Sequence, residues 1–295
     1  SVGAARLNAG SDLDLIVTLT TPCLTAACAG VKTKPVVFAY VYDPIAAGAA
    51  ESLDKHLPHI TGVGSFPPVA DTVAAIKELV PGVTAVGTLY NSAEANSRKV
   101  VEVARDRFGA AGIRLEEVTI STSSDVHQAA QALAQRQVDL FWITGDNTAL
   151  IAFEGIVNVA NRAKLPLVIN DVEFTERGAT VAVGIGFGPA GYRAGELAAR
   201  VLCGAAPAAI PIEQLSVKRV AVNLTAAAAC GVEIPPALLR EAELVIGLDG
   251  RLGRPARVFL VRYSDTPLSE DATEGVGAGM AKAGLAEGRD YTLEI

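Results

Sequence analysis

Between Val83 and Asp171, short apolar runs alternate with amphipathic stretches. VTAVGTLYN is apolar until its polar end, and SAEANSRKVVEVARDRFGAAG after it has helical periodicity. RLEEVTIS reads as a strand, DVHQAAQALAQRQ as a helix and VDLFWITGD as a strand. NTALIAFEGIVNVANRAK then reads as a helix and LPLVIND as a fourth strand. Short buried strands alternating with helices predict a parallel sheet covered on both faces. Three of the strands run out into polar segments, Tyr90-Asn91-Ser92, Gly145-Asp146-Asn147 and Asn170-Asp171. Ligands of open α/β sheets bind beyond the carboxyl ends of the strands. This edge is therefore expected to gather Asn, Asp, Ser and Thr around one point.

The flanks continue the alternation. DLDLIVTLTTP is a strand breaking at Thr20-Thr21-Pro22, CLTAACAGV a short helix, and KPVVFAYVYDP a strand ending in Tyr40, Tyr42 and Asp43. HITGVGSFPPV reads as a short strand and turn, and DTVAAIKELVPG as a helix capped by Asp71. After Asp171 come a Gly-rich loop and strand (VEFTERGATVAVGIGF) and the helix GPAGYRAGELAARVLCGAAP. IPIEQLSVKRVAVNL supplies one or two strands, TAAAACG a short helix, and Pro235-Pro236 opens another helix, where a missing N–H does no harm. Residues 248–255 look like a linker. RVFLVRY, SEDATEGVGAGMAKAG and DYTLEI then spell strand, helix, strand. The chain stops on that strand and begins, at SVGAARLNAG, with what reads as the tail of a helix, so the two ends are expected to fit together.

Composition narrows the function. Half of the 295 residues are hydrophobic and the net charge is −7, with no basic stripe, which argues against nucleic acid as a partner. No apolar run reaches the roughly 18–20 residues of a spanning helix. No signal peptide is evident, and that silence says nothing about export. Of the four cysteines, Cys23 and Cys28 point to different helix faces, while Cys203 and Cys230 each precede a glycine. Buried thiols and a Cys203–Cys230 disulfide are both open readings. No Cys/His spacing suits a metal, and His56, His59 and His127 form no constellation. Trp142 is expected in the core. GIGFGPAG lacks the context of a dinucleotide fingerprint, and neither a nucleophile elbow nor a phosphate-binding loop occurs. No cofactor and no catalysis are expected.

DLIVTLTTPCLTAA, PVVFAYVYDPIAAG, LYNSAEANS, ITGDNTAL, NRAKLPLVIND and VNLTAAAACGVEIPPALLREAELVI together resemble the periplasmic-binding-protein-like (type I) substrate-binding proteins of bacterial ABC importers, in the branch that includes tryptophan-binding members. The resemblance covers most of residues 12–246. It implies an α/β fold of two lobes, each a parallel sheet flanked by helices, with ligand between them and hinge closure around it. Lobe 1 is expected from residues 1–81, 187–210 and 231–295, and lobe 2 from 82–186 and 211–230. Crossovers are expected near Pro81-Gly82, Gly186-Phe187 and Ile210 to Val220. The order departs from the family, whose counterpart of residues 256–295 comes first. A circular permutation or a tandem-domain junction would give this order. Residues 256–295 are expected to complete the lobe holding 12–44, within a monomer or reciprocally in a domain-swapped dimer. The resemblance further implies an ABC permease as partner and a periplasmic or extracytoplasmic location, with or without a lipid anchor. A ligand-sensing module of a signalling protein is the alternative.

The candidate ligand contacts sit at strand ends. Ser92, Glu94, Asn96 and Ser97 open a helix, where free N–H groups attract a carboxylate or where Ser92 merely caps. Asp146, Asn147 and Thr148 occupy the equivalent end one unit on, with Asp146 suited to a ligand ammonium or to capping. Asn170 and Asp171 end the fourth strand, and a buried Asp there needs a partner, the ligand or Arg177. From the first lobe come Thr20, Thr21, Tyr42 and Asp43, although Asp43-Pro44 also reads as a turn. Tyr42 suits a flat ligand. Ser65 and Phe66 would wall the cleft. Tyr263, Ser264 and Asp265 would enter it if their strand joins the first lobe. The expected ligand is a small metabolite, an amino acid or an aromatic, amino-acid-like compound. Its anion would lie near Ser92–Ser97, its cation at Asp146 or Asp171, and its flat body on Tyr42 and Phe66.

Overall fold

The structure is a computed structural model and describes residues 13–216, 218–247, 256–259, 267–282, 287 and 291–294. Two larger sheets organise it. The first is four-stranded in the order β1 (Ile16–Leu19), β2 (Val36–Val41), β3 (Ile60–Gly64) and β9 (Glu213–Gln214), and every pair is parallel. Its inner strands β2 and β3 are buried at every position, while β1, at the edge, alternates buried and exposed. Helix α1 (Thr20–Gly30) covers one side through Leu24 and Ala27. Helix α7 (Phe187–Leu202) covers the other, setting Ala194, Leu197 and Val201 against Val37, Ala39 and Val63.

The second sheet is seven-stranded. Its order is β11 (Leu244–Ile246), β10 (Arg219–Asn223), β8 (Val181–Gly184), β7 (Leu167–Ile169), β6 (Leu140–Ile143), β4 (Ala85–Asn91) and β5 (Arg114–Ile120). Only the β8–β10 pair is antiparallel. The near-continuous apolar runs of β4, β6, β7 and β8 are what a sheet buried on both faces requires. Helices α2 (Val69–Leu79) and α3 (Ala95–Ala110) lie on one face, and Phe108 of α3 meets Trp142 of β6 at 5.6 Å between ring centroids. Helices α4 (Val126–Ala134) and α6 (Phe153–Ala163) pack on the other. The chain runs from β4 outward to β5 and then back across to β6. The strand order therefore reverses at β4, beside the carboxyl ends of β4 and β6. That is where open α/β sheets hold ligands.

Among the described residues, the chain passes between the two larger sheets three times. Two crossings lie at Gly186-Phe187 between β8 and α7, and between β9 and β10. The first does not fall at Pro81-Gly82 but at Ser65–Pro68, because Val69, Val73, Ile76 and Leu79 of α2 bury their apolar face among residues of the seven-stranded sheet. Residues 231–246, assigned from sequence to the first lobe, also belong here: like Leu224 of α8 (Leu224–Cys230), Leu238 of α9 (Pro236–Glu241) joins that core, and β11 pairs with β10. Among the described residues, β12 (Ala256–Phe259) and β13 (Tyr291–Glu294) pair in parallel with each other as a separate two-stranded sheet, joined through α10 (Pro267–Lys282). Within the chain, the expected insertion of β12 beside β1 is thus not made. β12 pairs along one edge with β13, and no described strand extends the four-stranded sheet past β1. No described helix is long and apolar enough to cross a membrane.

Candidate functional site

The carboxyl ends of β1 and β2 in one sheet face those of β6 and β7 in the other. A narrow pocket lies between them. Thr20, Thr21, Tyr40, Tyr42 and Phe187 line it from one side and Asn96, Gly145, Asn147, Leu150 and Asp171 from the other. Thr20, Thr21, Tyr42, Asn96, Asn147 and Asp171 had been expected here; Tyr40, Gly145, Leu150 and Phe187 had not.

Two non-glycine residues of the lining hold left-handed backbone, Thr20 at φ 68° and Tyr40 at φ 55°. Such conformations are costly, most of all for a β-branched residue, and they persist where surrounding structure enforces them, often at ligand sites. At Tyr40 the cause is visible. The β2–β3 register shifts between Phe38 and Val41, and this irregularity re-aims the Tyr40 side chain into the pocket. The Tyr40 ring packs tilted against Phe187, with centroids 4.1 Å apart, and lies 5.9 Å from the Tyr42 ring, so an aromatic wall borders the site. Helix α1 opens at Thr20 with no side chain capping its N-terminus. Its first turn therefore presents the positive end of the helix dipole at the pocket.

Two buried aspartates at adjacent strand ends differ completely. Asp146 accepts from Asn91 N (2.6 Å), Ser97 Oγ (2.6 Å) and Ala149 N (2.8 Å). Burial raises its carboxyl above the ordinary range, opposed by these donors and reinforced by Glu94. With both oxygens engaged, Asp146 caps α5 (Asn147–Ile151) and does not line the pocket. The structure thus sets Asp146 beside the pocket as a cap, whereas it was expected to meet a ligand cation. Asp171 is also fully buried, but only Oδ1 has a partner, the hydroxyl of Tyr40 across the pocket, while Oδ2 has none. Burial pushes its carboxyl up to about 7, Glu173 adds to the rise, and the Tyr40 bond opposes it. Tyr40 and Tyr42 are held well above the usual phenol range by burial and by the Asp171 charge, so both stay neutral. Two further buried oxygens of the lining lack a partner, Thr21 Oγ1 and Asn96 Oδ1.

The remaining candidates serve structure. Glu94 accepts from Asn147 N (3.1 Å) and Nδ2 (2.6 Å) and from Thr148 N (3.0 Å) and Oγ1 (2.8 Å), so the start of α5 already holds its anion. Ser92 is exposed and gives its carbonyl to Arg98, and Ser97 is spent on Asp146. The expected anion position near Ser92–Ser97 is therefore already filled by the protein's own carboxylates. Asn170 accepts from Trp142 Nε1 (3.0 Å) and donates to Thr72 Oγ1 (2.9 Å) and Val183 O (2.8 Å), which satisfies it within the core. Arg177 pairs with Glu154, not with Asp171. Asp43 closes a turn onto Ile45 N and Ala46 N. Ser65 is buried in the first crossing, and Phe66 touches Tyr42 edge-on at 6.4 Å without lining the pocket. Tyr263, Ser264 and Asp265 lie outside the described residues. All four cysteines are free, which leaves no Cys203–Cys230 bridge. Glu94→Gln removes the charge from these bonds, and a loss of about 1–2 kcal/mol in urea unfolding is expected.

A family model described as ABC transporter substrate binding protein matches residues 3–246. A tyrosine-binding protein of Clostridioides difficile is 31% identical over 210 residues, 71% of this chain and 61% of the relative, so the chain spans less than two thirds of that protein. The ABC domain from Streptococcus pneumonia, solved in complex with L-Trp, superposes with a TM-score of 0.78 at 29% identity, covering 83% of this chain and 84% of the other. The ligand-free, open structure of a substrate binding protein with adhesive properties from Clostridium difficile gives 0.60 at 27% identity, covering 79% and 78%.

Proposed function

We propose a ligand and its pose from the premise that this chain belongs to the family of ABC transporter substrate-binding proteins. The ligand is an aromatic L-α-amino acid, clasped between the two sheets and delivered to an ABC permease on the extracytoplasmic side of a membrane. The observation that carries this reading is the buried, unpartnered Oδ2 of Asp171. A carboxylate oxygen withdrawn from water with no donor is costly. A ligand ammonium would relieve that cost, and Asn96 Oδ1 would accept a second of its protons. The ligand carboxylate then falls to the uncapped first turn of α1 and the Thr21 hydroxyl. Its side chain lies among Tyr40, Phe187 and Leu150.

The tyrosine-binding relative and the L-Trp complex support this ligand class. The better superposition on the L-Trp complex than on the open, ligand-free structure supports a closed arrangement here. Thermal-shift and calorimetric screening tests the proposal. L-Tyrosine, L-tryptophan and L-phenylalanine are expected to bind. Tyramine, which lacks the carboxylate, and 4-hydroxyphenylpropionate, which lacks the ammonium, are expected not to. Equal affinity for the deaminated compound would overturn it.

A further inference from the structure

Gly145 is not among the glycines with positive φ, so backbone conformation does not demand glycine there. Space does. A Cβ on Gly145 would overlap the Tyr42 hydroxyl and lie 2.8 Å from Tyr42 Cζ and 3.2 Å from Asp171 Oδ2. Gly145 N donates to the Tyr42 hydroxyl at 3.1 Å, and Gly145 O accepts from Asn96 Nδ2 at 2.9 Å, which fixes the peptide in place. Tyr42 belongs to the four-stranded side, Gly145 follows β6 of the seven-stranded sheet, and both line the pocket.

We propose that Gly145 and the Tyr42 hydroxyl form a closure clasp: positioning residues that set how long the two sheets stay shut around the ligand. The inference rests on the binding reading above. The ring of Tyr42 walls the site, whereas its hydroxyl ties one sheet to the other. Removing the hydroxyl alone loosens the closed state, which speeds release and leaves capture unchanged. A methyl at 145 wedges the sheets apart, and it does so chiefly through that same hydroxyl. Loss of the hydroxyl therefore makes room for the methyl, so the two substitutions do not add.

The test combines release rates of radiolabelled L-tyrosine and L-tryptophan with solution scattering of the ligand-free proteins. Tyr42→Phe is expected to release ligand about tenfold faster at an unchanged association rate, the loss of one hydrogen bond. Gly145→Ala is expected to release at least ~100-fold faster and to show a larger radius of gyration without ligand. The double variant is expected to recover part of both effects. Wild-type release from Gly145→Ala, wild-type release from Tyr42→Phe, or additive effects in the double variant would overturn the clasp. If wild type binds neither amino acid, the ligand reading fails, and scattering still decides the clasp: equal radii for wild type and Gly145→Ala refute it, and an expanded variant supports it.

Discussion

Asp171→Asn is expected to abolish amino-acid binding and yet to raise the melting temperature of the ligand-free protein at pH 8. The carboxyl is fully buried and pushed up to about 7 by desolvation. Between about pH 4 and 7 the native protein holds a proton that the unfolded chain has released, so this group lowers stability progressively as pH rises through that window. Above pH 7 the penalty is complete and amounts to about 4 kcal/mol, at 1.36 kcal/mol per pH unit. An amide removes the charge, keeps the shape and still accepts from Tyr40, so the variant should melt several degrees higher. Binding moves the other way. Removing one partner of a buried ion pair costs about 3–5 kcal/mol, or roughly two to four orders of magnitude in Kd. In the wild type, affinity should fall about tenfold per unit as pH drops below 7, because Asp171 must shed its proton to meet an ammonium. Tyr40, Tyr42 and Glu173 face it, and the two tyrosines stay neutral throughout. Calorimetry from pH 5.5 to 8 checks this. A pH-independent wild type, or a variant less stable than wild type at pH 8, would count against it.

Asp146→Ala should give the opposite pair of results. Three donors converge on that carboxylate, two backbone N–H groups and the Ser97 hydroxyl. Truncation strands all three in a buried site, and the cap of α5 is lost with them. About 2–4 kcal/mol of unfolding free energy should disappear. The folded fraction should still bind within about tenfold of wild type, since Asp146 lies outside the pocket lining. Urea unfolding with and without ligand separates the two effects. An unchanged urea midpoint would contradict the structural role, and loss of binding in a stable variant would return Asp146 to the ligand. One aspartate is therefore expected to exchange stability for binding, and its neighbour to support the fold alone.

The sequence cannot distinguish these two residues. Both are Asp at the end of an apolar strand, and both precede a helical turn. The donors that decide between them, Asn91 N, Ser97 and Tyr40, come from other strands and helices, as much as 131 residues away. The alternation of strands with helices and the chemistry of the strand ends were legible because burial on both faces writes itself as Val, Ile and Leu runs ending in Asn and Asp, whereas the order of the strands within the sheet was not. Tyr40 escaped notice as a site residue because its aim depends on a register shift against β3, which local periodicity does not carry. Phe187 escaped for a related reason. Gly186, at φ 83°, turns the chain immediately before it, and the turn places the ring over Tyr40. The first crossing was misplaced because Pro81-Gly82 is a strong break signal, whereas α2 is assigned to its sheet by packing.

The most direct test is a crystal structure at pH 8 with whichever of L-tyrosine and L-tryptophan binds more tightly. The ammonium nitrogen should lie about 3 Å from Asp171 Oδ2, with the carboxylate on the first turn of α1 and the ring beside Tyr40 and Phe187. An amino acid bound with Asp171 Oδ2 still bare, or bound away from the Tyr40–Phe187 wall, would contradict the account.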